Sequence, residues 1–378
     1  MRNSPSITNT FNRTTTQELI RLPVLVAALG YLVDMYDLFI FSIVRVPSLK
    51  SIGFSGDAVL KNGIMLLNLQ MAGLLIGGMV WGILGDKKGR LSVLFGSILI
   101  YSLANIGNGF VTSITGYAVL RFIAGFGLAG ELGAGMTLVS EILPNRIRGY
   151  GATLVASMGL MGALLAYLVS YLFDWRTSYF IGGALGLLLM FMRIRVFESG
   201  IFTNLKQTLV KRGDVRMLFN NKKRLVKYIT AIIIGMPIWF VVGILITFSP
   251  EFGKAMGIAE PVDAGKAVLF AFGAQVLGNI TSGSLSQYYQ SRKKVILIFI
   301  LLSLTSVLIF LLGPVHDVNT VYTLAACLGF ACGYWTLFIT VAAELFGSNL
   351  RATVATSVPH WCHLSNQCCM SIITRIIN

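Results

Sequence analysis

The sequence predicts an all-α protein that crosses a membrane many times, in two halves built alike. Three observations carry that prediction. Of 378 residues, 55% are hydrophobic and only 12% charged, with mean hydropathy +0.77; a soluble domain carries about 25% charged residues. Apolar runs recur at lengths that cover ~30 Å of hydrocarbon at ~1.5 Å per residue. Finally, at an offset of 203, Glu141-Ile-Leu-Pro-Asn-Arg-Ile-Arg148-Gly-Tyr-Gly-Ala-Thr153 returns as Glu344-Leu-Phe-Gly-Ser-Asn-Leu-Arg351-Ala-Thr-Val-Ala-Thr356. Each copy keeps an acid, an arginine seven residues on, then Ala-Thr. Parallel halves of this kind frame a carrier whose site lies between them.

Residues 1–21 are polar and read as a cytoplasmic tail, with Thr15-Thr16-Gln17-Glu18 as a capping box ahead of the first span. That span is too long for a signal-peptide core and is read as uncleaved. Six spans are expected near 22–44, 63–85, 91–110, 114–138, 149–172 and 177–195, forming an N-terminal bundle over 22–195. Four more follow near 228–249, 265–288, 295–313 and 320–342, in an incomplete C-terminal bundle over 228–350. The 6 + 4 count falls two short of a symmetric twelve.

Charge orders the connections. Lys87, Lys88 and Arg90 fall in one turn, Arg146 and Arg148 in another, Arg292, Lys293 and Lys294 in a third, and eight bases in 196–227. The alternate turns near 111–113, 173–176 and 314–319 are nearly uncharged, while 45–61 is a partial exception with Arg45, Lys50 and Lys61. Positive-inside counting therefore puts the N-terminus and the 196–227 linker in the cytoplasm; a bacterial inner membrane is the expected location. The net charge of +15 thus reports orientation and not nucleic acid. The linker reads as a solvated tether before it reads as a lipid or partner site.

By the 203 offset another span should occupy 352–375. Instead 351–378 holds Pro359, His360, His363, Asn366, Gln367 and Arg375, with three of the five cysteines. Such residues make a poor membrane helix. A truncation or frameshift after about Val358 is the expectation, and a non-transporting membrane remnant the competing function. His360, Cys362, His363, Cys368 and Cys369 match no ordered metal spacing. No cofactor, metal or catalytic set is expected, and the chain is not read as an enzyme.

Charged residues within spans cost ~2.5–3.5 kcal/mol each at the centre, so they face a cavity or each other. Asp34, Asp37, Arg121 and Glu131 stand out. Tyr31, Asp34 and Asp37 recur every third residue and share one broad helix face. Asp37 lies ~22 Å from the cytoplasmic end of its span and Arg121 ~20 Å from that side, so contact between Arg121 and either aspartate is open. Glu131 sits ~15 Å from Arg121 along one helix and cannot neutralise it. An acid paired with arginine stays ionised; freed in a dry cavity it takes a proton. Asp37 is the first choice for the proton carrier and Asp34 the second. A static ion pair is the plainer alternative, and Arg121 holding an anionic substrate is a third.

Gly82-Ile-Leu-Gly-Asp86-Lys87-Lys88-Gly89-Arg90 resembles the G-x3-D-[RK]-x-G-[RK]-[RK] signature of the major facilitator superfamily, with Leu91 in place of its last base. Asp34-Met-Tyr-Asp37, the Arg121 to Gly133 run with its Gly-Glu131, Glu141-x2-Pro144-x3-Arg148 and Glu198-Ser199 are similar to the metabolite:proton symporter group. The resemblance implies alternating access with proton-coupled import of a small anionic metabolite by a monomer. It also implies cytoplasmic gate contacts by Glu141, Arg148, Glu344 and Arg351, joined by Glu131, Asp86 and Arg90. Tyr31, Trp239, Gln275, Asn279, Tyr334 and Trp335 are candidates to line the cavity; packing between helices is the plainer role for each.

Overall fold

A computed structural model describes residues 22–88, 90–142, 148–198, 222–315, 317–345 and 358. Among the described residues the first half has six helices: α1 (Leu22–Ser51), α2 (Asp57–Lys88), α3 (Arg90–Gly109), α4 (Ile114–Ile142), α5 (Arg148–Leu172) and α6 (Trp175–Glu198). In the second half, α7 (Lys222–Phe240) runs on as a π-helical segment, Val241–Ile246, and the short α8 (Ser249–Ala255) follows. Then come α9 (Ala264–Tyr288), α10 (Arg292–Leu312), α11 (Val318–Ala331) and α12 (Trp335–Glu344). Each of the ten expected spans coincides with a helix or with two consecutive helical pieces. Among the described residues, eight stretches are long and apolar enough to cross a bilayer, and Val93–Gly109 is a shorter one.

The bounds differ from expectation where polar residues sit inside helices. α1 continues past residue 44 to Ser51 and carries Pro47, so Arg45 and Lys50 belong to the helix rather than to a loop. Likewise α7 starts at Lys222, which takes four bases out of the expected linker. The capping box at Thr15 and the whole 359–378 segment lie outside the described residues.

Exposure marks the lipid side. On α10, Leu297, Leu301, Leu304 and Leu308 form an exposed stripe at helical spacing, while Phe299, Ser303, Ser306 and Phe310 turn inward. A stripe of leucines on the outside is stable only against hydrocarbon.

Within the bundle, small residues let helices approach closely. α2 and α4 pack along Gly73, Gly77 and Gly125; a Cβ on Gly125 would run into the Gln70 carbonyl. In the second half, α9 and α11 meet at Gly278 and Gly329, whose added Cβ atoms would strike the Phe330 and Ala271 carbonyls. The halves join chiefly where α9 packs on α5 and α1. There Phe39 and Phe272 rings approach to 4.4 Å.

Two of the second half's spans are broken. α7 contains Pro237, which cannot donate to the helical ladder, and the π segment follows it. Thr247 Oγ donates back to the Val242 carbonyl at 2.9 Å, serving a carbonyl in that disturbed stretch. The 320–342 span divides at Cys332–Tyr334. Asn279 of α9 supplies Oδ1 to the Thr336 N–H at 3.3 Å and to its hydroxyl at 3.1 Å, capping α12 from outside. Ser282 Oγ holds the Gly333 carbonyl at 2.6 Å.

Candidate functional site

Arg121 is fully buried on α4. It is surrounded by rings: its guanidinium lies 4.7 Å from the centroid of Phe41 and 5.9 Å from that of Tyr179. Tyr117 and Tyr179 join hydroxyls at 2.8 Å, Tyr117 also donates to Ser48 Oγ at 3.2 Å, and Trp175 stacks on Tyr117. These rings belong to α1, α4 and α6, and their packing fixes the arginine without neutralising it. Cation–π contacts of this type are worth about 0.5–2 kcal/mol each.

The expected ion pair between Arg121 and an aspartate is not made. Arg121 Nη2 donates instead to Oε1 of Gln70 on α2. Nε and Nη1 have no hydrogen-bond partner among the described residues. Asp37 lies within electrostatic reach of Arg121, and Asn105 of α3 approaches it in a geometry that completes no hydrogen bond. Gly182 of α6 faces the same carboxylate: a Cβ there would stand 2.7 Å from Asp37 Oδ1. Asp37 and Arg121 thus point into one space between α1, α2, α3, α4 and α6 without touching. Both are buried away from lipid.

Glu131 has a partner the sequence did not suggest. Arg193 of α6 grips it as a fork, with Nη1 donating to Oε2 at 2.8 Å and Nη2 to Oε1. The side chains of its expected company, Asp86 and Arg90, lie outside the described residues, as do Lys87, Gly89, Glu141, Arg148, Glu344 and Arg351. Gly82 is described and half-buried, and a Cβ there would meet nothing within 4 Å among the described residues.

The cavity candidates divide. Trp335 Nε1 donates to the Tyr31 hydroxyl at 2.9 Å, and the Trp239 and Trp335 rings meet edge-on at 5.3 Å, so these three gather where the halves face each other. Gln275, Asn279 and Tyr334 bond to backbone instead: Gln275 to the Cys332 carbonyl at 3.4 Å, Tyr334 to the Ile234 carbonyl at 3.0 Å, and Asn279 as the α12 cap. Gln275 Oε1 and Asn279 Nδ2 are buried with no hydrogen-bond partner among the described residues.

A further contact closes the two halves at the Ser51 end of α1. Arg45, fully buried, meets Glu251 of α8 at 2.6 Å and lies over the Phe248 ring at 4.6 Å. Reading 45–61 as a loop hid it.

Among the described residues, eight helical stretches able to cross a bilayer, with charged and aromatic groups buried between them, define a polytopic membrane protein of the transporter class. The profile described as Major Facilitator Superfamily matches residues 27–358. The chain belongs to that superfamily. A protein of Cupriavidus pinatubonensis described as "Probable 4-methylmuconolactone transporter" is 26% identical over 338 residues, 86% of this chain and 76% of that one. The 3-(3-hydroxy-phenyl)propionate transporter of Escherichia coli is 28% identical over 313 residues, 78% of this chain and 72% of that one. Among solved structures, the proton:xylose symporter XylE bound to 6-bromo-6-deoxy-D-glucose superposes with TM-score 0.72 at 16% identity, over 96% of this chain and 90% of that one. That likeness shows the fold.

Proposed function

We propose that the chain imports a small ring-bearing organic anion together with a proton, by alternating access. The observation that carries this reading is Arg121: a buried guanidinium with two nitrogens unpartnered among the described residues, walled by Phe41, Tyr117 and Tyr179, facing an aspartate it does not touch. A planar fork of donors beside aromatic faces suits a carboxylate attached to a ring. The E. coli relative is named for a phenylpropionate, which joins those two groups in one molecule.

Charge balance gives the coupling. With Arg121 positive and Asp37 negative, the empty site is neutral. An anion docking on Arg121 makes the sum negative, and a proton on Asp37 restores it. Either passenger alone leaves a net charge inside the membrane, which costs ~2.5–3.5 kcal/mol at the centre. Only the empty and doubly loaded forms can therefore turn freely between the two sides.

In this reading the N-terminus and the basic 196–227 stretch face the cytoplasm of a bacterial inner membrane, and the carrier works as a monomer. Arg45–Glu251 then closes the outer side, while Asp86, Arg90, Glu141, Arg148, Glu344 and Arg351 form the cytoplasmic gate. Uptake of labelled 3-(3-hydroxyphenyl)propionate into proteoliposomes under an imposed pH gradient tests the proposal. Uptake should need the gradient, and R121Q should abolish it, whereas D37N should retain exchange but lose gradient-driven accumulation. Accumulation by D37N equal to the unmodified protein would sink the coupling.

A further inference from the structure

Asp37 and Arg121 leave a second charged group in the first half unused. Glu131 of α4 and Arg193 of α6 are 2% and 5% exposed and bonded as a fork. α1 crosses this pair at Gly30, where an added Cβ would strike Arg193 Nη2 and stand 2.8 Å from Glu131 Oε1. Asp34 lies four residues further along, one turn away on the same face of α1. It is 1% exposed, neither of its oxygens has a hydrogen-bond partner among the described residues, and it interacts electrostatically with Glu131, Arg193 and Asp37. The charged and titratable groups facing it are Glu131 of α4, Arg193 of α6 and Tyr101 of α3, with Tyr31 and Asp37 on α1 itself.

Arg193 has spent both terminal nitrogens on Glu131. Two buried carboxylates thus share one cation, and their sum is negative unless one of them holds a proton. Glu131 is satisfied by the fork, and Asp34 is not. We infer that Asp34, Glu131 and Arg193 form a second proton-binding site, separate from Asp37–Arg121, in which Asp34 holds the proton. Arg193 and Glu131 set, from opposite directions, how firmly it is held. The inference deepens the proton-coupled reading and rests on it for its place in the transport cycle, while the site itself can be measured without any substrate.

The experiment is a pH titration of the protonated-carboxyl infrared band on the purified full chain in lipid nanodiscs, with D37N as the background. A titrating band should remain in D37N and vanish in D34N/D37N. In the D37N background, R193Q leaves two acids with no cation and should hold the band to a pH about 1–3 units higher. E131Q gives Asp34 the arginine to itself and should move the band the other way. Should R193Q fail to fold, the E131Q direction and the loss in D34N/D37N still decide the matter. A band that survives Asp34→Asn, or that E131Q moves upward, overturns the inference. Anion uptake indifferent to the proton gradient would sink the transport reading instead, leaving this titration unchanged.

Discussion

Arg45 of α1 and Glu251 of α8, 206 residues apart in sequence, meet at 2.6 Å with the guanidinium fully buried and the carboxylate 17% exposed. α2 makes room for the arginine at Gly63, where a Cβ would come within 2.8 Å of Arg45 Cδ. Breaking such a pair from one side leaves a buried charge uncompensated, at a cost of about 3–5 kcal/mol. E251Q should therefore weaken the junction of the halves at this end. Spin labels at Lys50→Cys and Lys254→Cys, both exposed positions, should report a longer and broader distance distribution in E251Q. The R45M/E251L pair, which removes both charges, should restore the shorter distance. An unchanged distribution in E251Q would show that the ion pair does not hold the halves together.

Gln70 occupies the only hydrogen-bonded nitrogen of Arg121 among the described residues. Q70E puts a carboxylate where a neutral acceptor stood, so the arginine gains a permanent counter-charge. A hydrogen bond to a charged group is worth about 1.5–3 kcal/mol net, so the variant should unfold at higher temperature in detergent. The same change should abolish uptake of 3-(3-hydroxyphenyl)propionate, since the anion would compete with a fixed rival. Normal uptake by Q70E would mean that Arg121 is not the anion receptor.

Outside the membrane, Asp317 caps α11: its carboxylate takes the Thr320 hydroxyl and, at 3.0 Å, the Thr320 N–H. Those bonds, the hydroxyl's first, hold the acid below its usual range. The unfolded chain lacks them, so the cap's contribution is present above the ordinary carboxylate range and is lost as pH falls through the lowered folded value. Thermal unfolding of D317N, which keeps a capping oxygen but no charge, should show less acid dependence than the unmodified protein. Equal acid dependence would dismiss the cap as a source.

What the sequence disclosed and what it hid follow from one distinction. A charge deep in an apolar run is conspicuous, so Asp34, Asp37, Arg121 and Glu131 were legible, and all four are buried between helices. A base near a helix end looks like any positive-inside loop charge, and Arg45 was read into the 45–61 connection for that reason, while Arg193, close to the end of its expected span, was not singled out. Gln70 is neutral and adds no charge to its span, so nothing in composition singled it out. The break at Cys332–Tyr334 had only Gly333 to announce it. A glycine within a span is ordinary packing material, and what makes this one special is Ser282 and Asn279, 51 and 57 residues from their partners.

Packing and chemistry meet at Gly125. Its missing side chain lets α4 lie against the Gln70 backbone of α2, the same residue whose side chain bonds Arg121. G125A places a methyl group against a main-chain carbonyl that cannot rotate away, so the two helices must separate. Overpacking of this kind costs about 1–3 kcal/mol. A separation of even a few tenths of an ångström lengthens the Gln70–Arg121 bond, since donor and acceptor sit on the two helices that move apart. G125A should therefore unfold at lower temperature and also bind 3-(3-hydroxyphenyl)propionate less tightly. G273A is the matched control: its Cβ meets nothing within 4 Å among the described residues, and alanine is the better helix former by about 1 kcal/mol. It should leave binding unchanged and stability equal or higher. If G125A lowered stability yet bound the anion as the unmodified protein does, the α2–α4 seam would support the fold without setting the geometry at Arg121.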